Sequence, residues 1–194
     1  MSNLEKNIRE SCKAKEDLIF SKEKKNINKA IKIIYSTIKK GKKLLICGNG
    51  GSASDAKHMS TELLVRLRPK INRKPIPAIS LTMDTTTLTA CGNDYGFEYI
   101  FSRSFKALAS KGDLLFTIST SGNSKNVYNV LKESKKMKIF SISLLGKKSG
   151  SCKNLSNLEI KVNSKTTARI QETHIFIIHH ILESVEDLLI KNAK

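Results

Sequence analysis

The stretch Leu44-Leu45-Ile46-Cys47-Gly48-Asn49-Gly50-Gly51-Ser52 runs from a short apolar strand, through a glycine-rich turn, into a helix. Glycines let backbone N–H groups approach an anion closely, and a helix N-terminus adds its dipole. The helix then carries His58 and Glu62 at i and i+4, on one face. An imidazole beside a carboxylate suits acid–base work or metal ligation. An isolated His-x-x-x-Glu is more often a solvated surface pair, and what gives this one weight is its start from a ligand-binding turn.

A second unit of the same form lies further along. Asp113–Ser119 reads as a strand, Thr120-Ser121-Gly122-Asn123-Ser124 as a polar turn, and the residues to Met137 as a helix. In parallel α/β sheets, ligands sit beyond the carboxyl ends of strands, where both turns fall. An ordinary helix cap needs one hydroxyl or amide. This turn offers the hydroxyls of Ser119, Thr120, Ser121 and Ser124 at a helix N-terminus, a set better suited to a phosphate. Gly48-x-Gly50-x-x-Ala53 also matches the dinucleotide fingerprint. The acidic residue expected about 20 positions later is missing, because the basic, proline-containing segment Arg66–Pro77 occupies that region. The turn also lacks the Gly-Lys-Ser/Thr ending of a Walker loop, so a nucleotide role is disfavoured.

Outward from these units, strands and helices alternate. Leu44–Cys47, Ala78–Leu81, Asp113–Ser119, Lys138–Leu145 and Leu158–Val162 read as strands. Leu4, Ile8, Cys12 and Ile19 form a rough helical stripe, and Ile27, Ile31, Ile34 and Ile38 a clear one that Gly41 ends. Helices are also predicted over Ser52–Val65 and Tyr99–Ser110. Thr82–Asn93 reads as a loop followed by a helical turn, and Gly146–Ser156 as a polar loop or short helix. The class is α/β with a parallel sheet. The chain length predicts a single domain over residues 1–194, with N-terminal helices in 1–40 and the α/β core in 41–194.

One long helix is predicted from Thr166 to about Lys191. It is apolar on most faces: Ile170, Ile175, Ile177, Ile178, Ile181, Leu182, Val185 and Leu189 surround it. Such a helix is buried. A sheet covers only one side, so the other is expected to meet a partner subunit. The same helix holds Gln171, Glu172, His174, His179 and His180. At ~100° per residue, Gln171 and His179 lie roughly 80° apart and can face one site, whereas His180 points away.

The chain has 35 Lys and Arg against 17 Asp and Glu, a net charge of +18. Lysine accounts for most of the excess and is spread along the chain, and no nucleic-acid motif is present, so nucleic acid is not the expected partner. The positive field helps attract an anionic substrate. No apolar run is long enough to span a membrane, and the charged N-terminus lacks a signal-peptide core, so a cytoplasmic location is expected. Cys12, Cys47, Cys91 and Cys152 are scattered, which argues against a disulfide framework or a Cys-rich zinc module.

With both halves in view, the chain resembles the phosphoheptose (sedoheptulose-7-phosphate) isomerases of the sugar-isomerase (SIS) domain superfamily. The segments that carry the resemblance are CGNGGSASDAKHMSTEL (47–63), CGNDYGFEYIFSR (91–103), ISTSGNSKNV (118–127) and ARIQETHIFIIHH (168–180). The resemblance implies a five-stranded parallel sheet flanked by helices, assembled as a homotetramer with active sites between subunits. It implies aldose–ketose isomerisation of sedoheptulose 7-phosphate to D-glycero-D-manno-heptose 7-phosphate, the first step toward heptose precursors of surface glycans. By the same resemblance Asn49, Gly50, Gly51, Glu62, Asn93, Asp94, Ser119, Thr120, Ser121, Ser124 and Gln171 contact substrate. Glu62 and His179 are the acid–base pair, and His58, Glu62, Gln171 and His179 are the ligands of one zinc ion per subunit. Some family members have Asp where this chain has Ala168, and a role for that Asp does not transfer.

The residue types suit the reaction. Moving a proton between C1 and C2 through a cis-enediol needs one group at carbon and another at the oxygens. Glu62 is assigned to carbon and His179 to oxygen. Gln171 and His179 are eight helical residues apart, roughly 12 Å along the axis, far for two ligands at ~2 Å from one ion. A neighbouring subunit supplying one ligand, or Gln171 serving substrate alone, resolves this. The rivals are a non-catalytic SIS-domain regulator or adaptor, which needs no acid–base set, and an isomerase of another phosphosugar.

Overall fold

The computed structural model describes residues 2–191. Two helices, α1 (Asn3–Phe20) and α2 (Glu23–Lys39), precede β1 (Leu44–Gly48) and α3 (Gly51–Leu64). Then follow β2 (Ala78–Ser80), α4 (Thr85–Tyr95), α5 (Ile100–Leu108), β3 (Leu114–Ser119), α6 (Lys125–Lys136), β4 (Phe140–Gly146), β5 (Leu158–Val162) and α7 (Thr167–Lys191). The strands form one parallel sheet in the order β2-β1-β3-β4-β5. The order reverses between β1 and β3, and the crevice at such a reversal is where open α/β sheets bind ligands. The two polar turns identified in the sequence follow those two strands.

Both faces of the sheet are covered, which is why β1 and β3 are buried along their whole length. Side chains alternate between the faces. Leu44, Ile46, Leu114, Phe116, Ile118, Ile142 and Leu144 pack with α1, α2, α3 and α7, whereas Leu45, Cys47, Leu115 and Leu145 pack with α4, α5 and α6. The four cysteines are free thiols, and no helix among the described residues is long and apolar enough to cross a membrane.

Three expectations need correction. Thr85–Tyr95 is a full helix rather than a loop with a turn. The Asp84 carboxylate caps it by accepting from Thr86 N–H at 3.0 Å, and Cys91 and Leu88 face the core. The fourth strand starts at Phe140, because Lys138 takes a left-handed φ of 55° that ends α6 sharply. The far side of α7 is covered largely by this chain's own α1, α2 and α3, with Phe176 left half exposed.

His174, on the buried face of α7, has no solvent exposure, and neither ring nitrogen has a hydrogen-bond partner. Burial pushes its pKa down from 6.5 to about 4, opposed by the nearby Leu145 backbone. In the unfolded chain it protonates near the ordinary value, so its contribution to stability is complete above that value and is lost as pH falls toward about 4. Thermal melts between pH 7 and 5 are therefore expected to fall on acidification, and to fall less for His174→Leu. An equal fall in both proteins contradicts this assignment.

Candidate active site

The first turn is built by short backbone bonds. Ser52 N–H donates to the Asn49 carbonyl at 3.0 Å and Ala53 N–H to that of Gly50 at 2.9 Å. The Gln171 side chain of α7 lies directly over Gly51, and a Cβ there would overlap its amide. Asn49 does not offer a free side chain. It exchanges two hydrogen bonds with Asn126, donating at 2.8 Å and accepting at 3.0 Å. Asn126 is buried on α6 and also accepts from Val127 N–H. This amide pair ties the two turns together and leaves Asn49 its backbone for a ligand. No sequence signal marked Asn126.

In the second turn, Ser119 Oγ accepts from Gly122 N–H at 3.0 Å, and Ser121 Oγ from Asn123 N–H at 3.1 Å. Accepting these bonds leaves each hydroxyl its proton to donate. Gly122 has a φ of +68° and lies against the Ser149 backbone, and its carbonyl accepts from Cys152 N–H at 2.9 Å. Ser124 sits at the N-cap of α6 yet makes no side-chain cap bond. Its hydroxyl and the start of the helix thus remain available to an anion. Beside the first turn, a cavity of about 240 Å³ is lined by Asn49, Gly50, Lys57, Thr82, Phe97 and Phe101, among others.

The acid–base candidates meet where α3 crosses α7. His58 Nε2 and His179 Nε2 are 2.8 Å apart, with the rings edge-on at 67° and 5.1 Å between centroids. Glu62 Oε1 stands 3.7 Å from the other ring nitrogen of His58, an ion-pair distance too long for a hydrogen bond. Across the Nε2 pair one imidazole donates and the other accepts, according to the tautomer of each ring. Asp55, one turn before His58, is buried with one oxygen unpartnered. Burial pushes it up to about 6, partly offset by His58. Its i, i+3 spacing to His58 is the sequence signal that marks it. His180 is exposed, as the helical angle predicts.

The remaining candidates are not all drawn in. Gln171 meets α3 at Gly51 and His179 meets it at His58, so the two α7 side chains address different levels of the site. Asn93 and Asp94 are exposed at the end of α4 and bond each other at 2.9 Å. Among the described residues, no hydrogen bond that ties them to the turns or to the imidazole pair is found. The donor chemistry of His58, His179, Glu62 and Gln171 fits zinc, which takes imidazole nitrogen and oxygen ligands. Two Nε2 atoms converge as ligands of one ion do, but Glu62 lies at the opposite nitrogen of His58. No group of three His, Cys, Asp or Glu among the described residues is gathered for a metal.

A parallel sheet of this order carries two polar turns at its reversal, and the SIS domain family matches residues 8–146, which places the chain in that class. Within that class, the phosphoheptose isomerase of Campylobacter concisus is 54% identical over 158 residues, 81% of this chain and 82% of the relative. That of Aliarcobacter butzleri is 48% identical over 163 residues, 84% of this chain and 85% of the relative. The solved phosphoheptose isomerase of Francisella tularensis superposes with a TM-score of 0.89 at 35% identity, over 96% of this chain and 100% of that one. The chain belongs to the phosphoheptose isomerase family. The Vibrio vulnificus NanR protein, solved with ManNAc-6P, shares the fold alone, at 16% identity and a TM-score of 0.63 over 98% of this chain and 63% of that one. The regulator reading is not favoured.

Proposed function

We propose that this protein interconverts sedoheptulose 7-phosphate and D-glycero-D-manno-heptose 7-phosphate, supplying heptose precursors for surface glycans in the cytoplasm. The observation that carries the reading is the His58–His179 contact set beside Glu62, on the helix that starts from the first polar turn. In this account the phosphate lies on Ser119–Ser124, held by the hydroxyls of Ser119, Thr120, Ser121 and Ser124 and the start of α6. The carbonyl end lies over Asn49–Gly51, where Gln171 reaches a substrate oxygen. Glu62 takes the proton from C1 of the open-chain ketose and returns it at C2. His179 moves a proton between the oxygens on C1 and C2, and His58 holds its imidazole in place through the Nε2 pair. A zinc ion held by His58, Glu62, Gln171 and His179 would polarise the substrate carbonyl when bound.

The same reading takes the protein as a homotetramer whose sites lie between subunits. Its support is apolar surface with no cover in one chain: Leu4, Ile8, Ile19 and Phe20 of α1, and Phe97 beside the cavity, are all more than half exposed. The stripe Leu4–Ile8 thus faces outward, while Ala14 and Leu18 turn in. Asn93 and Asp94 are equally exposed, open to substrate held against a neighbouring copy.

The test is incubation of purified protein with sedoheptulose 7-phosphate, with and without a chelator, followed by detection of the aldose phosphate. Product is expected in the untreated sample, and lowered turnover after chelation that zinc restores. Absence of product under every condition overturns the activity. Full turnover in metal-free protein overturns the zinc assignment alone.

A further inference from the structure

The loop between α3 and β2 carries Arg73, whose side chain is 6% exposed. Its Nη2 donates to the carbonyl of Glu62 at 2.5 Å, and Nη1 to that of Leu63 at 2.9 Å. Both carbonyls belong to the last turn of α3, where a helix leaves acceptors without intrahelical donors. Nε of the same guanidinium donates to Glu186 Oε1 at 2.8 Å. Glu186 lies on α7, two turns beyond His179, and its side chain is 2% exposed. Its second oxygen accepts from Arg68 Nε at 3.0 Å. The Arg68 side chain also bonds α7 at the Glu183 carbonyl and Asp187, and among the described residues no hydrogen bond from it to α3 is found.

One planar cation therefore grips the backbone of Glu62 with one edge and the buried carboxylate of α7 with the other. A buried ion pair adds little net stability over a well-packed apolar pair. What a fork of rigid donors adds is fixed geometry. The two helices it joins are the ones that carry His58 and Glu62 on one side and Gln171 and His179 on the other.

We infer that Arg73 and Glu186 are positioning residues that set α3 against α7 and thereby hold Glu62 and His58 in register with His179. The inference rests on the reading of Glu62 and His179 as the acid–base pair. Misplacing reacting groups by about 1 Å can cost on the order of 10² in rate, with little effect on binding made elsewhere. The phosphate turn is remote from the clamp, so substrate affinity is expected to survive its loss.

Arg73→Lys keeps a cation for Glu186 but gives up the fork on the two carbonyls. Arg73→Gln is the second variant. Arg68→Gln weakens the same ion cluster without touching α3. All three are assayed for kcat and KM on sedoheptulose 7-phosphate per folded protein, alongside Glu62→Gln. Expected for Arg73→Lys or Arg73→Gln is a kcat about tenfold lower with KM within about twofold, while Arg68→Gln loses thermal stability and keeps its kcat. Wild-type kcat in both folded Arg73 variants, or equal kcat losses in Arg68→Gln, overturns the clamp. So does failure of both Arg73 variants to fold, which makes the contact purely structural. Full activity in Glu62→Gln instead overturns the acid–base reading on which the clamp depends.

Discussion

Glu62→Gln and His179→Gln each lower the turnover of sedoheptulose 7-phosphate by at least ~10², the usual scale for a general acid–base group. The substitutions keep size and remove the titrating function. Glutamine at 62 keeps a polar amide beside His58 but cannot accept a proton from carbon. Glutamine at 179 removes the imidazole whose Nε2 lies 2.8 Å from that of His58. KM is expected to change little, because the phosphate is held on the other turn. Steady-state kinetics on folded protein check this, and near-normal kcat in both variants sinks the assignment. His180→Gln is the companion control. It sits next to His179 in sequence, is exposed on α7, and is expected to leave kcat unchanged.

The second large effect falls on the phosphate turn. Gly122 has a φ of +68°, and a Cβ added there would overlap the Ser149 carbonyl. The left-handed conformation alone costs a non-glycine residue about 1–3 kcal/mol. The overlap involves backbone on both sides, and Ser149 N–H is tied to the Gly146 carbonyl at 3.1 Å at the end of β4, so relief moves the turn. Overpacking of this kind adds roughly 1–3 kcal/mol. Gly122→Ala is therefore expected to lower the melting temperature by roughly 4–24 °C, at about 2–4 °C per kcal/mol for a chain of this size. Movement of the turn also displaces the Ser119 and Ser121 hydroxyls, so KM for the sugar phosphate rises at least about tenfold, the equivalent of 1.4 kcal/mol. An unchanged KM in folded Gly122→Ala contradicts the placement of phosphate on this turn.

The strands are legible because a parallel sheet covered on both faces needs short apolar runs: Leu44–Ile46 and Leu114–Phe116 are continuous, and Ile142–Leu145 is broken only by Ser143. The turns were legible because glycine and hydroxyl residues crowd where only one cap is needed. The His58–His179 contact joins residues 121 apart in sequence, and helical angles alone placed His179 rather than His180 toward the site. Helix α4 was hidden by Thr85, Thr86, Thr87 and Thr89, whose β-branching reads against a helix. Its Asp84 cap and the Thr89 hydroxyl bond to the Thr85 carbonyl compensate locally. Asn126, Arg73 and Glu186 were illegible for a different reason. Each is defined by a partner distant in sequence, as in the Asn49–Asn126 amide pair, and a lone polar residue carries no mark of such a partner. The apolar periphery of α7 is met in large part by α1, α2 and α3 of the same chain, a cover that helical periodicity alone does not reveal.

The central claim is enediol proton transfer on a heptose phosphate, and incubation of the protein with sedoheptulose 7-phosphate in D2O, followed by NMR of the aldose product, tests it most directly. A carboxylate that carries the proton from C1 to C2 exchanges it with solvent during its lifetime, so the account predicts D-glycero-D-manno-heptose 7-phosphate with deuterium at C2. Aldose that forms with no deuterium at C2, or the absence of any aldose, contradicts it.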